Sequence, residues 1–97
     1  MKPTSILVNP GRGTLVDSDA LADALNNGWL YAAGLDVVEG EPHITADHPL
    51  VKCPRATVLP HIGSATTETR AAMAGLAAQN LVDGIFGRPM KAGVDLK

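Results

Sequence analysis

Apolar and polar positions alternate in blocks along the chain, and the blocks change period. Ser5-Ile6-Leu7-Val8-Asn9 is a short apolar run closed by Pro10-Gly11, the pattern of a buried strand that ends in a loop. Asp17-Ser18-Asp19 then offers capping oxygens before Ala20 to Asn27, where Leu21, Ala24 and Leu25 recur at helical spacing until Gly28 stops the run. Leu30 to Val38 is apolar except for Tyr31 and Asp36 and ends at Glu39-Gly40-Glu41-Pro42, which predicts a second buried strand. Residues 39–55 carry Pro, His, Asp and Lys without periodicity and predict a long loop, a kind often tied to function.

Ala56-Thr57-Val58-Leu59 is a third strand candidate, halted by Pro60 and followed by His61-Ile62-Gly63-Ser64. From Thr66 onward Met73, Leu76, Ala77, Leu81 and Ile85 share one helical stripe, with Thr66 or Ser64 as cap and Glu68 in the first turn. That stripe reads most simply as core, with part of it left exposed where the surface it would pack on is not in this chain. Gly87 and Pro89 end the helix, and Met90 to Lys97 has no pattern. The order β-α-β-loop-β-α predicts an α/β fold, a partial Rossmann-like parallel sheet with right-handed crossovers at least for its first pair.

Composition narrows the possible functions. With 97 residues and a 45% apolar share drawn mostly from Ala, Leu, Val and Ile, the chain can bury one modest core. A net charge of -2 leaves no basic stripe, which argues against nucleic acid and anionic membranes as partners. The single cysteine, Cys53, excludes an internal disulfide and fits a reducing compartment. No apolar run reaches the roughly 20 residues of a membrane span, and Met1 to Thr4 does not lead into a signal-peptide core. The expectation is a soluble, cytoplasmic protein. His43, Asp47, His48 and Cys53 share the long loop, but their spacing matches no structural zinc pattern, and no metal is expected. Trp29 reads as a packing or interface residue.

Candidate chemistry follows from the topology. In a parallel sheet every strand ends at the same edge, and ligands bind in the crevice beyond it. Arg12 comes just after the first strand, Asp36 and Glu41 at or after the second, and His61 just after the third, so a cation, a carboxylate and an imidazole meet at one edge. Taken singly, each is an ordinary loop residue; taken together they suit reduction of a 2-oxo acid. Arginine supplies a bidentate fork for the substrate carboxylate. Histidine suits proton donation to the carbonyl oxygen, and a neighbouring carboxylate favours its protonated form.

Three segments carry a resemblance: V-N-P-G-R-G-T-L-V-D at 8–17, A-A-G-L-D-V at 32–37 followed by E-G-E-P at 39–42, and L-P-H-I-G-S-A-T at 59–66. In order and separation they resemble the carboxyl-terminal signatures of the D-isomer-specific 2-hydroxyacid dehydrogenases. H-P-L at 48–50 and I-G-S-A-T-x-x-T-R at 62–70 are most similar to the glyoxylate/hydroxypyruvate reductases of that family. The resemblance implies that Arg12, Glu41 and His61 are catalytic, Arg12 holding substrate, His61 donating the proton and Glu41 bonding that histidine. It also implies that Pro10, Gly11, Asp36 and Gly63 meet NAD or NADP, and that Ser64 joins Arg12 and His61 around the substrate. Residues 1–65 would be the rear half of a nucleotide-binding domain, and residues 66–97 a helix and tail returning to a substrate domain.

No G-x-G-x-x-G occurs in the chain, since Val16 stands where the third glycine of a run from Gly11 would fall. The resemblance therefore implies that the pyrophosphate-binding half lies upstream of Met1 and that these residues alone do not turn over glyoxylate. An open sheet edge would favour homodimers or other self-association. Two other readings remain at this stage: an inactive truncated fragment, and a small module that binds carboxylates through Arg12.

Overall fold

A computed structural model describes residues 1–96 and divides the chain into two compact units, Met1–Gly63 and Ser64–Lys97. The first unit is built on three parallel strands in the order β1 (Ile6–Asn9), β2 (Ala32–Leu35) and β3 (Ala56–Val58). Ile6 pairs with Ala32 and Asn9 with Leu35, while Ala33 pairs with Ala56 and Leu35 with Val58. The central strand is the best covered, with Ala33 and Leu35 buried.

Helix α1 (Ser18–Asn26) connects β1 to β2. Asp17 caps it by accepting the Ala20 N–H at 3.0 Å, so it begins two residues earlier than the expected Ala20. Ser18, Leu21, Ala22 and Leu25 form its buried face, at the helical spacing that brings them to one side. Leu21, Leu25, Leu30, Ala33, Leu35, Val38, Leu50 and Cys53 make one continuous core. Leu25, Leu35 and Leu50 are fully enclosed, each worth roughly 1.5–3 kcal/mol relative to exposure.

Several expectations need correction. The strand expected over Leu30 to Val38 is only four residues long, because beyond Leu35 the backbone turns to other partners: the Asp36 N–H bonds Asn9 O and the Asp36 carbonyl accepts from His61 N. The first strand is not wholly buried; Ile6 and Val8 point outward at 56% and 69% exposure. The loop between β2 and β3 contains a one-turn helix, α2 (Pro49–Lys52), with Pro at its start and the His48 ring accepting the Leu50 N–H at 3.2 Å. A 3-10 turn at Gly13–Leu15 was likewise not expected. Leu59 lies beyond β3, its N–H bonded to Leu35 O at 2.7 Å.

The second unit is helix α3 (Thr67–Ile85) and a tail; the expected tail's last residue, Lys97, lies outside the described residues. Thr66 caps α3 by accepting the Thr69 N–H at 3.1 Å. The stripe expected as core is exposed: Met73, Leu76, Ala77, Leu81 and Ile85 all face solvent. Among the described residues of this unit no second helix or strand accompanies α3, and the helix residue that is buried is Asp83, held by Gln79 at 2.9 Å and Arg88 at 3.2 Å. Asn80 ties the tail down through both directions of its amide to Ala92.

Candidate active site

The carboxyl ends of the three strands are stitched together by short hydrogen bonds. At the end of β1, Asn9 is buried, accepts the Gly11 N–H at 3.0 Å through Oδ1 and donates through Nδ2 to Arg12 O at 2.9 Å. Its own carbonyl accepts the Asp36 N–H from β2 at 3.1 Å. The Arg12 guanidinium donates from Nη1 to Gly11 O at 2.8 Å, which uses one donor and leaves the rest of the fork free among the described residues. Gly13 follows where nothing larger fits, since a Cβ there would stand 2.3 Å from the backbone of Val38. The Arg12 loop thus lies directly on the segment that leads to Glu41.

Asp36 closes the turn after β3. Its carboxylate accepts the Ile62 N–H at 2.8 Å and the Gly63 N–H at 2.7 Å, and its carbonyl accepts from His61 N at 2.9 Å. The Ile62 amide bond is the main reason its carboxyl sits below the usual aspartate range; burial opposes the shift, and the Gly63 amide and the nearby His61 add to it. Gly63 permits the approach, because a Cβ would come within 2.9 Å of Asp36 Oδ2.

Glu41 and His61 meet side chain to side chain. Oε2 of Glu41 lies 3.1 Å from His61 Nδ1, while Oε1 accepts the Val38 N–H at 2.9 Å, so the carboxylate is held from behind as it holds the ring. The Glu41–Pro42 peptide is cis. His61 adopts φ of +58, in the left-handed region that few side chains occupy. Its side chain remains half exposed. Beside the pair is an open, mainly apolar cavity of about 440 Å³ lined by Val38, Glu41, Pro42, Ile44 and residues 58–61. Neither Arg12 nor Asp36 lines it.

Of the residues singled out from the sequence, then, Glu41 touches His61, Asp36 touches Gly63, and Arg12 bonds its own loop through Gly11. Pro10 is exposed in that loop, and Ser64 opens the second unit. Asn9 was not singled out; an asparagine closing a strand before Pro-Gly was a legible turn signal. The loop residues considered for metal have other partners: His48 caps α2, Asp47 pairs with Lys52 at 3.5 Å, and Cys53 is buried with Sγ 3.6 Å from Asn26 Oδ1. Among the described residues no group of three or more His, Cys, Asp or Glu is placed to hold a metal ion, and no helix is long and apolar enough to cross a membrane. Trp29 is 64% exposed.

Comparison with known proteins gives concordant likenesses. Residues 1–63 match the family model described as D-isomer specific 2-hydroxyacid dehydrogenase, NAD binding domain. A glyoxylate/hydroxypyruvate reductase B from Klebsiella pneumoniae is 52% identical over 91 residues, which is 94% of this chain and 28% of that protein. The chain thus spans little more than a quarter of the length of the curated relatives it matches. The crystal structure of the TT0316 protein from Thermus thermophilus superposes with a TM-score of 0.79 at 46% identity, covering 98% of this chain and 30% of that one. An NADPH-dependent glyoxylate/hydroxypyruvate reductase from Sinorhizobium meliloti, in complex with NADP and malonate, superposes with a TM-score of 0.74 at 40% identity over 98% of this chain and 28% of that one.

Proposed function

The chain belongs to the D-isomer specific 2-hydroxyacid dehydrogenase family, and from that premise we propose that it is the carboxyl-terminal catalytic portion of an NAD(P)H-dependent reductase of small 2-oxo acids, glyoxylate and hydroxypyruvate foremost. The observation that carries the reading is the Glu41–His61 pair, 3.1 Å from Oε2 to Nδ1, at the strand edge that also bears Arg12 and Asp36.

Glu41 occupies Nδ1 and so fixes the ring, leaving Nε2 as the proton-bearing atom turned to substrate. Arg12, with Nη1 already on Gly11 O, offers its remaining N–H edge to the substrate carboxylate and holds the carbonyl for attack. Asp36 uses one lone pair of each carboxylate oxygen on Ile62 and Gly63; the others can accept from the carboxamide N–H of a nicotinamide, an acceptor that fits the group. When bound, the nicotinamide supplies a hydride to the carbonyl carbon. His61 gives its proton to the carbonyl oxygen, which becomes the hydroxyl of the 2-hydroxy acid, and Glu41 stays hydrogen-bonded to the ring throughout.

Pro10, Gly11 and Gly63 belong in this reading to the backbone around the nicotinamide, and Ser64 to the substrate side. The phosphate-gripping glycine turn is not among these residues, so the cofactor choice between NAD and NADP is made elsewhere in the enzyme. The reading also includes self-association, supported by the outer edge of β1, which no strand among the described residues pairs, and a cytoplasmic setting.

The test is a chimaera in which this chain replaces the matched segment of the Klebsiella pneumoniae reductase. It should reduce glyoxylate with NAD(P)H, and His61→Ala should lower kcat on the order of 10² to 10⁴. A folded chimaera that binds oxalate through Arg12 but is indifferent to His61→Ala would favour a carboxylate-binding module instead.

A further inference from the structure

We propose that Asn9 is the positioning residue for the substrate-holding arginine, a role that rests on the reading of Arg12 as the carboxylate site. The buried Asn9 amide is the only side chain from outside the Arg12 loop, among the described residues, to bond that loop, and it does so twice: Oδ1 takes the Gly11 N–H at 3.0 Å and Nδ2 gives to Arg12 O at 2.9 Å. Both ends of the short segment that carries the guanidinium are therefore fixed by one group.

The second link is the guanidinium itself. Nη1 donates to Gly11 O at 2.8 Å, so the peptide whose N–H side Asn9 grips is followed by the carbonyl on which the arginine head rests. Without that grip, the carbonyl and the head resting on it lose their anchor. Asn9 also joins this loop to the neighbouring strand end, since its carbonyl accepts the Asp36 N–H at 3.1 Å. One residue thus sets the separation between the cation for substrate and the carboxylate on the cofactor side. An amide suits the task because it both donates and accepts; an aspartate of the same shape can accept from Gly11 but has no proton for Arg12 O.

The experiment uses the full 97-residue chain, labelled with ¹⁵N, with oxalate as the probe. In the native chain oxalate should move the Arg12 Nε–Hε signal, and the Gly11 and Arg12 amides should be as ordered as those of β2. Asn9→Ala should leave the sheet signals in place, lower the order of Gly11 and Arg12, and weaken oxalate roughly tenfold or more, as misplacement of a binding group does. Where Asn9→Ala does not fold, Asn9→Asp is read in the same way. A variant that folds with an ordered loop and native oxalate binding overturns the proposal. Absence of any oxalate response in the native chain overturns the reading of Arg12 instead, and the order of Gly11 and Arg12 in the variants then decides the role of Asn9 alone.

Discussion

Glu41 divides its carboxylate between two partners: Oε1 accepts the Val38 N–H at 2.9 Å and Oε2 meets His61 Nδ1 at 3.1 Å. The backbone bond gives the carboxylate a fixed bearing, and the ring takes its direction from it. Glu41→Gln keeps the shape and can keep one acceptor, but its amide end presents N–H groups to whichever partner it faces. In the chimaera, kcat for glyoxylate should fall on the order of 10²-fold with little change in the KM for NAD(P)H, measured by cofactor absorbance. Native kcat in Glu41→Gln would remove Glu41 from the mechanism.

Asp36 links pH to stability. Its carboxyl is held below the usual aspartate value of about 3.9, chiefly by the Ile62 amide. Its contribution is therefore fully present above that value and is lost as pH falls from there through the lower folded value. Asp36→Asn keeps one acceptor and loses the other, so its unfolding midpoint should lie below the native one at pH 7. The gap should narrow as pH drops below about 4. Circular dichroism melts across pH 2 to 7 read both, and a gap independent of pH would contradict the linkage.

Two glycines should respond to alanine in opposite directions. At Gly13 a Cβ would stand 2.3 Å from Val38 backbone atoms, so Gly13→Ala must push the Arg12 loop away and should cost roughly 1–3 kcal/mol. At Gly75, inside α3, nothing lies within 4 Å of the added methyl, and Gly75→Ala should gain about 0.5–1 kcal/mol of helix stability. Urea denaturation of the two variants compares them, and equal effects would contradict the close approach at Gly13.

Among the described residues β1 pairs with β2 alone, so its outer edge offers unpaired backbone groups beside outward-facing Ile6 and Val8. The isolated chain should associate with itself, and Val8→Lys should shift it toward monomer in light scattering. It should also leave NAD(P)H unoxidised in the presence of glyoxylate. A native chain that is monomeric at high concentration would count against the edge as an association site.

Much of this arrangement was legible before any coordinates. Short apolar runs each closed by Pro, Gly or a charged turn set out parallel strands, and parallel strands bring trailing loops to one edge. That topology gathers Glu41 and His61 at one edge although twenty residues separate them; their direct bond is what the dehydrogenase resemblance implies, and the two lie 3.1 Å apart. What escaped were features that depend on backbone rather than composition. Asn9 looks like an ordinary turn residue until its amide is seen spanning Gly11 and Arg12. His48 reads as a loop histidine, yet its ring caps α2 and lets Leu50 enter the core. The stripe on α3 came out on the exposed side of its two readings, because helical spacing states which residues share a face and says nothing of whether a neighbour exists to cover it.

The left-handed backbone at His61 carries a consequence of its own. A turn selected for durability alone would place glycine or asparagine there, since other side chains in that conformation sacrifice about 1–2 kcal/mol. Imidazole sits there nonetheless, clamped by the Asp36 carbonyl on one side and two following amides on the Asp36 carboxylate. On the proposed reading, thermal robustness and proton delivery pull this single position in opposite directions, and a search for sturdier variants would be drawn to the residue to which that reading gives the proton.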